Sequence, residues 1–196
     1  RSVRHIYRQL GLDTWQINYN GALIWDEVGG RAVDHRPLSG TLALEIIRFA
    51  RALDQRVLVT CEILDRWHTD RFDNTYTTAT GLLFEPDEVA PVETFCCGEV
   101  TKLLLLGPPE AMLALRPKVV ERFGKQINLV CTDSELLQIM EKSVSKAAAL
   151  RRLVAEYGIG LEHVLAIGDA ENDIEMLTEC GIGVAVANAA PALKQV

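Results

Sequence analysis

What most constrains this chain is the alternation in its last third. Ser145 to Tyr157 keeps helical spacing and is stopped by Gly158 to Gly160, and Val164 to Ile167 follows as a short apolar run. Asn172 to Cys180 then reads as a second helix, Ile182 to Val186 as a second apolar run, and Pro191 as the opening of another helix. Helix, strand, helix, strand in short steps is the pattern of a parallel, doubly wound α/β sheet with buried strands. Such open sheets bind ligands just beyond the carboxyl ends of their strands. The chain places Gly168-Asp169-Ala170-Glu171-Asn172-Asp173 at that point. The Asp169 and Asp173 carboxylates and the Asn172 amide leave a strand together, and hard cations such as Mg²⁺ take oxygen ligands of this kind. Taken alone, the turn fits a second reading equally well, because Asp and Asn also cap helices and suit the helix dipole.

The earlier residues have a different texture. Val3, Ile6, Tyr7 and Leu10 form a helical stripe across Ser2 to Leu10, ended by Gly11. Trp15 to Tyr19 reads as a strand and Asn20-Gly21 as a turn, while Leu23 to Trp25 and Arg31 to Arg36 read as a hairpin around Gly29-Gly30. Thr41 to Leu53 is an amphipathic helix, with Leu42, Ile46, Phe49, Ala50 and Leu53 on one face. Strands are predicted over Arg56 to Thr60, Val100 to Leu106, Ile127 to Thr132 and Leu136 to Met140, and Pro108-Pro109 opens a helix reaching Phe123. Asp65 to Thr80 is polar and aromatic and reads as a loop leading into a helix. This order predicts an α+β unit, an antiparallel sheet with helices on one face.

Composition removes several function classes. A net charge of −7 over 196 residues argues against nucleic acid as the main partner, since backbone binding needs concentrated Lys and Arg. No apolar run is long enough to cross a bilayer, and Arg1 to His5 lead into no apolar signal region, so a membrane partner is not expected. The cysteines are Cys61, Cys96, Cys97, Cys131 and Cys180, an odd set without C-x-x-C spacing, and no pair of histidines has zinc-ligand spacing. A reducing cytoplasm is the simplest compartment.

Lys146-Ala147-Ala148-Ala149-Leu150, the turn Ile167 to Asp173 continuing to Leu177, and Gly181-Ile182-Gly183-Val184-Ala185-Val186-Ala187-Asn188-Ala189 together resemble the haloacid dehalogenase (HAD) superfamily, and within it the Cof-type phosphatases. Asn20-Gly21-Ala22 is similar to that family's hinge, and Val100 to Leu104 to a strand of its mobile cap. The resemblance implies an α/β fold: a Rossmann-like core with a parallel sheet, incomplete in this chain, plus an inserted α+β cap. Residues 1–21 and 141–196 would be core and 22–140 cap. It also implies a cytoplasmic, Mg²⁺-dependent hydrolase acting on a small phosphorylated metabolite, such as a sugar phosphate or phosphorylated cofactor. An aspartate nucleophile would give an aspartyl-phosphate, which water then hydrolyses. In that scheme Asp169 is a metal ligand, with Asn172 and Asp173 supporting the metal or the lysine. Lys146 clamps the nucleophile and the phosphoryl group, and Asn20 and Asn188 line the site toward substrate. Trp67, His68, Arg71 and Tyr76 fall in the cap-like region, where mixed aromatic and basic side chains could grip a sugar or base.

Two motifs of the resemblance are missing. Asp-x-Asp occurs nowhere, and no Thr or Ser precedes a Gly-Arg pair. Arg1-Ser2-Val3-Arg4 looks like the residues that follow that Thr-Gly, so the expectation is a nucleophile upstream of Arg1 and a 196-residue polypeptide that is inactive by itself. A core without its first strand should also leave an apolar face exposed. The other readings are a phosphomutase and a non-catalytic binding or regulatory module for a phosphometabolite.

Overall fold

A computed structural model of the protein describes residues 3–72, 75 and 81–195. Helix α1 (Arg4–Gln9) is followed by β1 (Gln16–Asn18), β2 (Leu23–Asp26), β3 (Arg31–His35) and β4 (Leu38–Ser39). Next come α2 (Gly40–Leu53), β5 (Leu58–Ile63), β6 (Arg66–Thr69), β7 (Glu88–Val89), α3 (Val92–Phe95), β8 (Glu99–Val100) and β9 (Lys102–Leu106). The remainder is α4 (Pro109–Phe123), β10 (Ile127–Asp133), β11 (Leu136–Glu141), α5 (Lys146–Glu156), β12 (Leu165–Gly168), α6 (Ile174–Glu179) and β13 (Ile182–Ala185). The elements fall into two units, Arg1–Asp13 with Arg36–Lys142, and Thr14–His35 with Ser143–Val196.

The first unit is the α+β cap. Its sheet has the order β10-β11-β9-β5-β6-β7, antiparallel except for the β6–β7 pair. Alternation along β5 sends Val59 and Cys61 to one face and Leu58, Thr60 and Glu62 to the other. The first face carries the main core: Ile46, Ile47 and Ala50 of α2, Met112, Leu115 and Val119 of α4, and Phe95 of α3 pack over Leu103, Leu105, Leu137 and Ile139. The expectation of a loop over Asp65 to Thr80 fails at its start. Residues 66–69 are strand β6, because Trp67 and Thr69 bury against the sheet and Thr69 donates its hydroxyl to the Val59 carbonyl at 2.7 Å. Residues 73, 74 and 76–80 of that stretch, Tyr76 among them, lie outside the described residues.

The second unit contains the α/β core elements. β12 and β13 run parallel, joined by α6, with Leu165 opposite Ile182 and Gly168 opposite Ala185. Ala166, Leu177, Ala189 and Leu193 fill the space beneath α6. The two strands are not buried as expected. Leu165, Ile167 and Ile182 are 56%, 59% and 57% exposed, since the described residues cover only one face of the pair and neither outer edge. The helix expected after Pro191 is a single 3₁₀ turn, Leu193–Gln195.

The N-terminal boundary also differs from the expected one. Residues 1–13 group with the first unit, and residues 22–35, expected in the cap, group with the second. Strand pairing is the cause: β2 pairs antiparallel with both β1 and β3, so the hairpin follows the strand that precedes the Asn20-Gly21 turn. Arg152 of α5 then holds Asp34 at 2.8 Å and donates to the Gly21 carbonyl at 3.3 Å.

Candidate active site

Three local structures within the second unit bring the candidate residues together. The first is the start of α5. Ser145 is extended, and its hydroxyl accepts from the Ala148 N–H at 3.0 Å, so the helix begins at Lys146. The second is the turn after β12. It leaves at Gly168, where a Cβ would meet the Asp173 Cβ at 2.6 Å, so only glycine lets the strand approach this closely. The third is the Asn20-Gly21 turn. Tyr19 and Asn20 have φ of 53° and 57°, and Gly21 has φ 103° with any Cβ colliding with the Ser145 carbonyl oxygen. The turn is thereby seated against the cap of α5.

These pieces meet through two links. The Lys146 ammonium donates to Asp173 Oδ1 at 2.6 Å, and Asp173 Oδ2 accepts from the Asp169 and Ala170 N–H groups at 3.1 and 3.2 Å. The Asp173 side chain is 3% exposed. Burial pushes its carboxyl up, but the Lys146 hydrogen bond, the two N–H donors and the ammonium charge outweigh that and hold it below its ordinary value. In the second link, the Asn172 amide donates to Asn20 Oδ1 at 3.2 Å. Asn172 Oδ1 is buried without a hydrogen-bond partner.

A cavity of about 570 Å³ opens over this arrangement, with Lys146, Asp169, Asp173, Asn20 and Asn188 in its lining. The structure thus gathers five of the six candidate residues around one space, and Asn172 joins them through Asn20. Gly168, Ile17, Met176 and Val186 also line the cavity. In the sequence Ile17 stood out only as part of a short strand, and Met176 and Val186 lay in the motif segments without being marked as site residues. Asp169 is exposed, and its carboxylate has no hydrogen-bond or ion-pair partner among the described residues. With Asp173 neutralised by Lys146, the cavity keeps one free carboxylate.

That donor set fits a hard cation in kind. A free carboxylate and a buried, unpartnered amide oxygen are oxygen ligands of the type Mg²⁺ takes. It is a partial set: among the described residues no three His, Cys, Asp or Glu side chains cluster closely enough to hold a metal ion.

Of the cap-region candidates, the described ones are Trp67, His68 and Arg71. Trp67 and His68 are buried in β6, at 7% and 6% exposure, with the Trp67 indole N–H donating to Thr60 Oγ1 at 3.4 Å. Arg71 is exposed and donates to the Val57 carbonyl at 2.9 Å. Among the described residues no helix is long and apolar enough to cross a membrane.

Comparison with known proteins identifies the family and the fold. A family profile described as haloacid dehalogenase-like hydrolase matches residues 1–196. The chain is 27% identical over 192 residues to an HMP-PP phosphatase of Escherichia coli O6:H1, covering 98% of this chain and 70% of that one. A haloacid dehalogenase-like hydrolase from Bacteroides thetaiotaomicron superposes with a TM-score of 0.84 at 19% identity, over 98% of this chain and 74% of that one. A HAD subclass IIB sugar phosphatase superposes with a TM-score of 0.79 at 16% identity, over 98% and 71% of the two chains.

Proposed function

The chain belongs to the haloacid dehalogenase-like hydrolases, in their Cof-type phosphatase branch, and from that footing we propose that it carries the lysine and acidic-turn half of a Mg²⁺-dependent phosphatase site. The substrate is a small phosphate ester, a sugar phosphate or a phosphorylated cofactor. The reaction passes through an aspartyl-phosphate whose nucleophilic carboxylate comes from sequence outside these 196 residues. The curated relative named for HMP-PP and the sugar phosphatase of the same fold support that substrate range.

One observation carries the reading: Lys146, Asp173 and Asp169 are organised around a single cavity by the 2.6 Å Lys146–Asp173 contact. An ammonium has three donors, and Asp173 takes one. The remaining two are available to the oxygens of a phosphoryl group and to an attacking carboxylate. A fixed cation there stabilises charge without reorganising during the reaction. Asp173 works through its neighbours, fixing Lys146 with one oxygen and the Asp169 backbone with the other. Asp169, with Asn172 beside it, would hold Mg²⁺, which when bound supplies neutralisation of phosphate and nucleophile charge. Asn20 and Asn188 offer amides to the substrate. A carboxylate nucleophile divides one difficult transfer into two easier ones, and neither cavity carboxylate is placed for that role. Asp173 is committed to Lys146, and Asp169 is the free cation ligand.

The test compares phosphate release by two proteins on sugar phosphates and phosphorylated cofactors with Mg²⁺. One is the 196-residue polypeptide, and the other is a protein extended at its N-terminus to the length of the relatives. The expected result is turnover only in the longer protein, abolished there by Asp169→Asn. Turnover in the 196-residue chain that Asp169→Asn removes would overturn the external nucleophile. Tight phosphometabolite binding without release in the longer protein would favour the binding-module reading instead.

A further inference from the structure

Two thiols in the cap unit touch each other and take no part in the site above. Cys61 lies within β5, Cys96 directly follows α3, and their sulfurs are 3.6 Å apart. Both are free, at 0% and 1% exposure. Backbone structure holds the contact from both sides. Cys61 is paired with Leu103 of β9 and His68 of β6 in the middle of the sheet. The Cys96 N–H donates to the Val92 carbonyl at 2.9 Å, and Gly40 packs so tightly that a Cβ there would collide with the Cys96 carbonyl. The Gly40 N–H also donates to the Gly98 carbonyl at 2.6 Å, which fixes the chain on the far side of Cys96.

A third group marks the place as more than apolar packing. His68 is directly opposite Cys61 in the antiparallel pair, so it shares that face of the sheet. Its ring lies 5.6 Å from that of Phe95, the residue before Cys96. Its Nδ1 is 2.9 Å from Glu88 Oε2, while its Nε2 is buried and has no partner. Buried polar nitrogens are normally satisfied, and this one is left over on the residue opposite Cys61. The chain reaches solvent one residue later, at exposed Cys97.

We propose that Cys61 and Cys96 are an oxidation site, which a peroxide converts into an intramolecular disulfide tying the end of α3 to the centre of the cap sheet. The thiol–thiol contact draws the Cys96 thiol down against the effect of burial, whereas the same contact and burial push Cys61 well up. Cys96 directly precedes exposed Cys97, whereas Cys61 lies within a central strand, so Cys96 is placed to meet the peroxide first. Its thiolate attacks one peroxide oxygen, forming the sulfenic acid and releasing hydroxide, which takes up the proton that Cys96 lost and becomes water. Cys61 then attacks the sulfenic sulfur. The S–S bond forms, the S–OH bond breaks, and the departing hydroxide leaves as a second water with the Cys61 proton. The thiols lose two electrons and the peroxide gains them. Closure requires the sulfurs to move together by about 1.5 Å, to the roughly 2.05 Å of a disulfide.

The reduced 196-residue chain should be treated with hydrogen peroxide and mapped by mass spectrometry without reduction. The expected product links the Cys61 and Cys96 peptides, has lost two hydrogens, and reverts with dithiothreitol. Cys97→Ala should leave that link unchanged, and Cys61→Ala should stop Cys96 at its oxygen-adduct stage. The wild-type map decides the matter even where a variant fails to fold. Cys61 and Cys96 remaining as thiols in a sample whose Cys97 is oxidised would overturn the proposal, as would a Cys96–Cys97 link in place of the expected one.

Discussion

Lys146 and Asp173 are 27 positions apart and meet at 2.6 Å, with the carboxylate buried and the ammonium partly open to water. Because the Asp173 carboxyl is held below its ordinary value of 3.8 in the folded protein, folding favours the ionised form. That stabilisation is complete above the unfolded value and is lost as pH falls through the folded one. Asp173→Asn is expected to cost about 1–3 kcal/mol near neutral pH, since it strands the ammonium and weakens two N–H contacts. It should also flatten the loss of stability below about pH 4, which urea unfolding at neutral and acid pH would show. Asp169→Asn should behave in the opposite way. The side chain is exposed and unpartnered, so stability should change by less than about 0.5 kcal/mol. Any rise in melting temperature with added Mg²⁺ should disappear, and a rise that survives would move the cation elsewhere. The two aspartates were legible in sequence because they share one turn. The link from Asn172 to Asn20 was not, because it spans 152 positions and depends on the left-handed backbone of Asn20.

Elements with local signals announced themselves more clearly than those made by their partners. The helical spacing from Ser145, the apolar stripe of α2 and the Pro108-Pro109 entry to α4 are local signals, and each helix begins within a residue or two of its expected place. β6 left no such trace, since Trp67, His68 and Thr69 owe their strand to partners on β5 and β7. α6 begins at Ile174 and not Asn172, because Glu171–Asp173 wind as a 3₁₀ turn that lets Asp173 reach back to Asp169 and Ala170. The cap of α5 offers a test at this scale. Ser145→Ala should cost about 1 kcal/mol by thermal or urea unfolding, and Ser145→Gly only a few tenths. Lys146 is the first residue of that helix, so in a catalytically competent protein Ser145→Ala should also lower turnover more than substrate affinity.

Across the whole chain, the cap unit and the core unit differ in how completely they bury themselves. The cap's sheet is filled on its helical face by a large cluster of buried side chains from α2, α3 and α4. The parallel pair β12–β13 is covered by α6 on one side, while Leu165, Ile167, Ile182 and Val184 stand exposed on the other. Parallel sheets occur almost only with both faces covered. An apolar surface bordered by two open strand edges is a template for association. The 196-residue polypeptide is therefore expected to bind a hydrophobic dye such as ANS and to self-associate as concentration rises. Leu165→Thr with Ile182→Thr keeps β-branched side chains in the strands while removing apolar area. The double variant should reduce both dye fluorescence and sedimentation-detected association. If neither changes, those residues are covered in solution and the apolar face is not what drives the chain to associate.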